Sequence, residues 1–250
     1  PDGGNIQAVT GGEFGLVFLE KTIVRASYVG SPLFFQFDTI SSGLGCLEGN
    51  SVAQYGNLSF FLSDDGWYST DGQTVNGIGT EKVDRWFFDN ADLNQINTIS
   101  AAVDPIKNLV VWNYANVEGT RSILIYNWQL QKWSRAETIS DVVGTIASTG
   151  TTLEGLTSAL GYTDIDVMPA SLDSRLFVGG KFLFAGAKDA KVMTFTGTAI
   201  TPTLVTTDVE VGYNSVATLA RPQIDNGSAS VAVASRRELD DTIEFSAYVP

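Results

Sequence analysis

Asp64, Asp65 and Asp71 lie beside Trp67 and Tyr68 in the ten-residue stretch "SDDGWYSTDG", Ser63 to Gly72. Carboxylates this close could serve glycoside hydrolysis, in which one acts as the acid and another as base or nucleophile across a sugar ring. The two aromatic rings could stack on that sugar, which makes Trp67 and Tyr68 candidate glycan contacts. Two features argue for something simpler. Asp64 and Asp65 are neighbours in the chain, so their side chains diverge rather than face each other. The stretch also misses the sialidase box Ser-x-Asp-x-Gly-x-Thr-Trp, because Gly66 follows Asp65 directly. A calcium loop needs oxygens at alternate positions, and Asp64, Asp65 and Asp71 do not supply that spacing. The favoured reading is turn chemistry: "SDDG" as a type I′ hairpin turn, "WYS" as the returning strand and "TDG" as the next turn. No catalytic, metal or cofactor residue is assigned.

Other reactive side chains are scarce. The chain has no histidine, so no Ser-His-Asp or Cys-His arrangement can be assembled and the commonest zinc ligand is missing. Its one cysteine, Cys46 in "SGLGCLEG", excludes an intrachain disulfide and reads as a small buried residue. Trp112, Trp128 and Trp133 could form a sugar platform, but their place in apolar strands favours packing. "TGGEFG", Thr10 to Gly15, leads into another strand and so is no phosphate loop. "SRRELDD", Ser235 to Asp241, reads as a solvated turn, with Arg236 and Arg237 as the candidate subunit contact.

The elements that would position these residues are strands. Runs such as "EFGLVFLE", "TIVRASYV", "PLFFQFDTI", "NLSFFLS", "GWYST", "NLVVWNY", "SILIYNW", "KWSRAE", "RLFVGG", "KFLFAGA", "KVMTFTG" and "SASVAVAS" are short and bounded by turn residues. That pattern predicts an all-β fold of antiparallel strands. Two short helices are expected, one in Thr80 to Asn90 capped by Thr80 with Val83, Phe87 and Trp86 turned inward, and one in Leu153 to Tyr162.

Comparable strand pairs open near Leu16, Leu58, Leu109 and Leu176. These spacings approach the ~40–50 residues of a four-stranded propeller blade, with Asp141–Pro169 as an extra segment in the last interval. A β-propeller-like repeat over residues 1–200 is therefore expected ahead of a sandwich or jelly roll. From about residue 201 the tryptophans disappear and Val, Thr and Ser rise, which suggests a further β-rich segment over 201–250 with a boundary near 198–205. The opening on Pro1-Asp2 and the strand-like end "IEFSAYVP" suggest a portion of a longer chain.

Fifteen basic residues against twenty-eight acidic ones give a formal net charge of −13, which disfavours tight nucleic-acid binding. No apolar run reaches the ~18 residues of a membrane span.

One resemblance goes further. The order carried by Phe18, Glu20, Ile23, Arg25, Tyr28, Gly30, Ser31, Pro32, Phe35, Phe37, Ile40 and Gly43 continues through "SVAQYGNLSFFLSDDGWYSTDG", "IGTEKVDRWFF", "AAVDPIKNLVVWNY" and "LIYNWQLQKWS". It resembles the tail hub or nozzle proteins of short-tailed bacteriophages, also called packaged-DNA stabilisation proteins. The likeness spans Gly15 to Ser134, with a looser echo in "ARPQIDNGSASVAVASR". It implies a non-enzymatic virion protein of the phage tail, a homo-oligomer forming a ring of six below the portal. Its implied partners are other tail or adaptor proteins and packaged DNA that passes without specific binding. The resemblance is built of turns and aromatics, and no site residue is carried over from it. A carbohydrate-binding or receptor-binding tail propeller using Trp67 and Tyr68, and a host-cell propeller scaffold, are the alternatives.

Overall fold

The computed structural model describes residues 3–147, 157, 164, 166, 182–195, 201–206, 209–210, 220–223, 228–236 and 242–248. Contacts divide the chain into Pro1–Thr198 and Ala199–Pro250. The first unit is all-β, a series of antiparallel sheets in which strands adjacent in sequence are adjacent in space. The first sheet holds β1 (Ile6–Thr10), β2 (Gly15–Leu19), β3 (Thr22–Gly30) and β4 (Phe34–Ser42). The second holds β5 (Ala53–Tyr55), β6 (Leu58–Leu62), β7 (Trp67–Thr70) and β8 (Val75–Gly77). The third holds β9 (Ser100–Asp104), β10 (Leu109–Ala115), β11 (Arg121–Asn127) and β12 (Lys132–Thr138). The fourth holds β13 (Val142–Ala147), β14 (Phe182–Lys188) and β15 (Lys191–Thr194). No strand of these sheets crosses into another sheet, unlike the Greek-key strands of a jelly roll.

The sequence repeat has a structural address. Leu16, Leu58 and Leu109 all fall at the start of a second strand, in β2, β6 and β10. The fourth start, Leu176, lies outside the described residues, as do the run "RLFVGG" and most of Leu153 to Tyr162; of that stretch only Thr157 is described, helical and exposed.

Packing between sheets explains why some strands are apolar on consecutive positions instead of alternating. Strand β6 sends Phe61 to the first sheet, where it meets Leu16, Phe18 and Ile23, and sends Phe60 and Leu62 to the third. Strand β10 likewise turns Val110, Trp112 and Tyr114 toward the second sheet and Val111 toward the fourth, against Val143. A strand covered on both faces has no polar side to show, which is how "SFFL" and "LVVW" arise.

The layer between second and third sheets is aromatic. Trp67 lies 4.2 Å from Trp112 and 5.0 Å from Phe87, measured between ring centroids, and Trp133 lies 5.8 Å from Trp112 and 4.6 Å from Tyr126. Two of the indole edges in this layer find main-chain partners, Trp112 Nε1 donating to Ser51 O at 2.8 Å and Trp133 Nε1 to Ile78 O at 3.0 Å, while Trp67 Nε1 is buried without one.

The helix α1 (Asp84–Asn90) departs from its expected start. Thr80 is not its cap: the helix begins four residues later, after Val83, with no side-chain cap. The N–H groups of Lys82, Val83 and Asp84 instead converge on Gly79 O, so the main chain of the preceding turn does the capping. Val83 and Phe87 are buried and Trp86 half-buried, with Arg135 over the Trp86 ring at 5.0 Å. In the second unit, Ala234 bridges Phe245, supported by Ser246 N–H donating to Val233 O at 2.9 Å.

Candidate functional site

The carboxylates of the opening stretch are separated by the strand they flank. Asp64 and Asp65 sit exposed on the β6–β7 turn, and Asp71 follows the far end of β7. Strand β7 between them is about 10 Å long at ~3.3 Å per residue, and Asp65 and Asp71 lie in the turns beyond its two ends, so they do not face each other across a glycosidic bond. Each carboxylate is engaged locally. Asp64 Oδ1 accepts from Ser63 Oγ at 3.1 Å, and Asp65 Oδ2 accepts from the Tyr68 hydroxyl at 2.9 Å. Asp71 Oδ1 accepts from the main-chain N–H of Thr74 at 2.7 Å and of Gln73 at 2.9 Å, which hold its carboxyl below the usual range.

That last arrangement recurs around the molecule. Asp104 Oδ1 accepts from Ile106 and Lys107 N–H in the β9–β10 turn. Asn127 Oδ1 accepts from Gln129 and Leu130 N–H in the β11–β12 turn, and Asn116 Oδ1 from Glu118 and Thr120 N–H between β10 and β11. Asp92 bonds Gln95 Nε2 and Asn94 N–H, which lower its pKa in that order. Asp and Asn side chains here replace the missing partners of turn amides.

The "SDDG" turn itself is not type I′. That type needs positive φ at both central residues, and neither Asp64 nor Asp65 has it, while Gly66 is nearly extended at φ 159. The turn is closed by Ser63 N–H donating to Gly66 O at 2.8 Å. A Cβ on Gly66 would meet the Asp84 carboxylate, and so would a Cβ on Gly79, so a side chain at either position must displace the carboxylate that bonds Trp67 N–H.

Asp84 is thus the residue that this region is built around, and no local pattern in the sequence marks it. Its Oδ1 accepts from Trp67 N–H at 3.0 Å, tying the start of α1 to the start of β7. Partial burial, and then the charge of Asp65, raise its pKa, while the Trp67 N–H opposes the shift. A carboxyl with a raised folded-state pKa favours folding most when protonated. That contribution is complete below the ordinary value of 3.8 and is lost as pH rises through the raised one. Asp84→Asn keeps an oxygen for Trp67 N–H without the charge. Its melting temperature relative to the parent is expected to rise with pH above about 4 and then level off. Thermal unfolding from acid to neutral pH checks this, and a difference that stays flat with pH would refute the assigned cause.

The aromatic candidates divide. Trp67 is fully buried between the second and third sheets, paired across the ladder with Leu62, so a glycan cannot reach it. Tyr68 faces the first sheet, stacked on Phe61 at 6.0 Å. Its hydroxyl is pushed up to about 12, first by burial and then by its bond to Asp65 and the charges nearby. Trp112 is fully buried, Trp128 and Trp133 partly so, all in one core. Arg236 is half-buried and engaged, and Arg237 lies outside the described residues. Cys46 is buried, its thiol donating to Glu48 O at 3.2 Å and pushed up to about 11 by burial, which keeps it protonated and unreactive.

An open groove of about 540 Å³ runs past Asn50, Asn97, Thr98 and Asp141. Its one arginine, Arg121, already donates to Thr98 O at 3.3 Å and to Thr98 Oγ1 at 3.1 Å. Among the described residues, no group of three or more His, Cys, Asp or Glu is placed to hold a metal ion, and no helix is long and apolar enough to cross a membrane. A scan against protein-family models finds no match, and a search of curated proteins finds none either.

Proposed function

We propose that this chain is a structural component of a tailed-bacteriophage virion, part of a tail nozzle or hub ring that extends the portal channel and helps retain and then release packaged DNA. The stacked meanders are read as successive blades of a propeller. The observation that carries the reading is the deployment of the acidic side chains: Asp71, Asp92 and Asp104 shape turns, Asp84 clamps two turns together, and Asp64 and Asp65 are left facing water. An acidic, weakly basic surface repels phosphate and suits a conduit through which DNA must slide. The stretch that resembles nozzle proteins, Gly15 to Ser134, runs from the first residue of β2 into β12.

The receptor-binding alternative loses Trp67 to the core. Mass photometry of the purified chain is expected to resolve one discrete closed assembly, with six copies as the resemblance implies, and electron microscopy to show it as a ring. A monomer at micromolar concentration that also fails to appear in phage particles would refute the reading.

A further inference from the structure

The stack of sheets ends, at the first sheet, on a face that no described residue covers. Leu16, Phe18 and Ile23 point toward the second sheet. Strand alternation and register then put Val9, Val17, Val24, Tyr28, Phe35 and Phe37 on the opposite face. Val9 is 65% exposed, Tyr28 69%, Phe35 55% and Phe37 65%. The Tyr28 and Phe35 rings meet edge-on at 5.7 Å within the patch. Arg25 and Asp38, a register pair, alternate away from it; Arg25 reaches inward, over the Phe14 ring at 4.7 Å and to Gly72 O. The outer face carries no charged side chain.

We infer that this face seats a second copy of the chain, an inference that specifies the contact of the homo-oligomer proposed above and rests on that oligomeric reading. Two observations select this occupant. The second and third sheets each bury both faces under a neighbouring sheet of aliphatic and aromatic residues, and the uncovered face offers the same residue types, so another sheet of this kind fits it. At a net charge of −13, two copies repel unless they meet where the contact surface carries no carboxylate, and the first sheet's outer face meets that condition. The area sets the size of the contact. Strands β3 and β4 have nine residues each and β1 and β2 five. At about 3.3 Å per residue and ~4.8 Å between strands, the patch covers roughly 450 Å². Two copies would bury about twice that, just under the ~1,000 Å² that a specific interface clears, so the contact is a small one; the patch itself lies within the ~300–600 Å² of the largest apolar patch on a typical monomer.

The test is the assembly state of the full chain by mass photometry and sedimentation velocity over about a hundredfold range of concentration. Phe35→Glu with Phe37→Glu places two carboxylates on the patch at positions already exposed, so far-UV circular dichroism is expected to stay unchanged. Assembly is expected to weaken by at least about a hundredfold. Ile106→Glu with Val117→Glu, exposed apolar sites at 62% and 63% on turns of the third sheet, is expected to leave assembly as it is. An oligomer untouched by the Phe35/Phe37 change overturns the inference while leaving the ring reading standing. A two-copy assembly dissolved by it refutes the ring and upholds the contact. A parent that is monomeric throughout, including one that instead floats with phosphatidylcholine vesicles, overturns the inference, and its absence from phage particles as well overturns the ring reading.

Discussion

Trp112→Ala is expected to lower the unfolding free energy by about 5 kcal/mol, the largest effect of any single truncation in the second-to-third sheet layer. Trp112 is fully buried, with the rings of Trp67 and Trp133 at 4.2 Å and 5.8 Å and its indole N–H bonded to Ser51 O. Removing the ring opens a cavity between two sheets whose strands cannot move inward without breaking their ladders, which puts the loss at the upper end of the ~3–5 kcal/mol for a buried tryptophan. The buried carbonyl of Ser51 loses its partner as well, at about 1 kcal/mol. At ~2–4 °C per kcal/mol for a unit of this size, the melting temperature should fall by roughly 10–20 °C. Trp128→Ala, at a partly exposed position packed on Phe60 and Tyr55, is the comparison and should cost less than half as much. Equal losses at the two sites in urea unfolding would mean that the aromatic layer is not the main brace between these sheets.

The second large effect is expected from adding one methyl group. Gly45 crosses directly over the β2–β3 turn, where Cys46 N–H donates to Leu19 O and Gly43 N–H to Lys21 O, each at 2.8 Å. A Cβ on Gly45 would strike Leu19 O, Glu20 C and Lys21 N, all main-chain atoms. No rotamer change relieves such a clash, so the crossing segment or the turn must shift and those hydrogen bonds stretch. Gly45→Ala is therefore expected to cost about 3 kcal/mol or more, the high end for overpacking. Gly11→Ala has open space around its Cβ and should change stability by no more than about 0.5 kcal/mol. If Gly45→Ala melts with the parent, the close approach described here is wrong.

What could be read from the residues alone follows a physical division. Internal strands such as β6, β10 and β11 bury both faces and pair on both edges, so they need dense apolar and aromatic sequence, and that density is visible. Strands β1, β5, β8, β9 and β13 are not among the runs that alternation picks out. Each is the first or last strand of its sheet; β5 and β8 have only three residues, and β9 is the small-residue run "SAAVD". Edge strands take their pairing from a neighbour and need little pattern of their own.

The acidic stretch was legible as turn chemistry at Asp71, whose carboxylate bonds the two amides that follow. It was misleading at Gly66, where a side chain would meet the Asp84 carboxylate, eighteen positions on. It was misleading again at Trp67, because neighbours in sequence point to opposite faces and only the register with Leu62 shows which side this ring takes. Asp84 itself has no sequence signature, since its role exists only once two separate turns have been brought together around it.

Because each of the first three sheets is wound from consecutive strands, its ladder hydrogen bonds close within a few dozen residues, and among the described residues one sheet meets the next through side chains packed on, or bonded to, its neighbour. Such a molecule lengthens or shortens by whole layers: gain of one meander by duplication requires new complementarity at the layers flanking it and leaves every more distant pairing as it was. Leu16, Leu58 and Leu109 mark the same place in three successive layers.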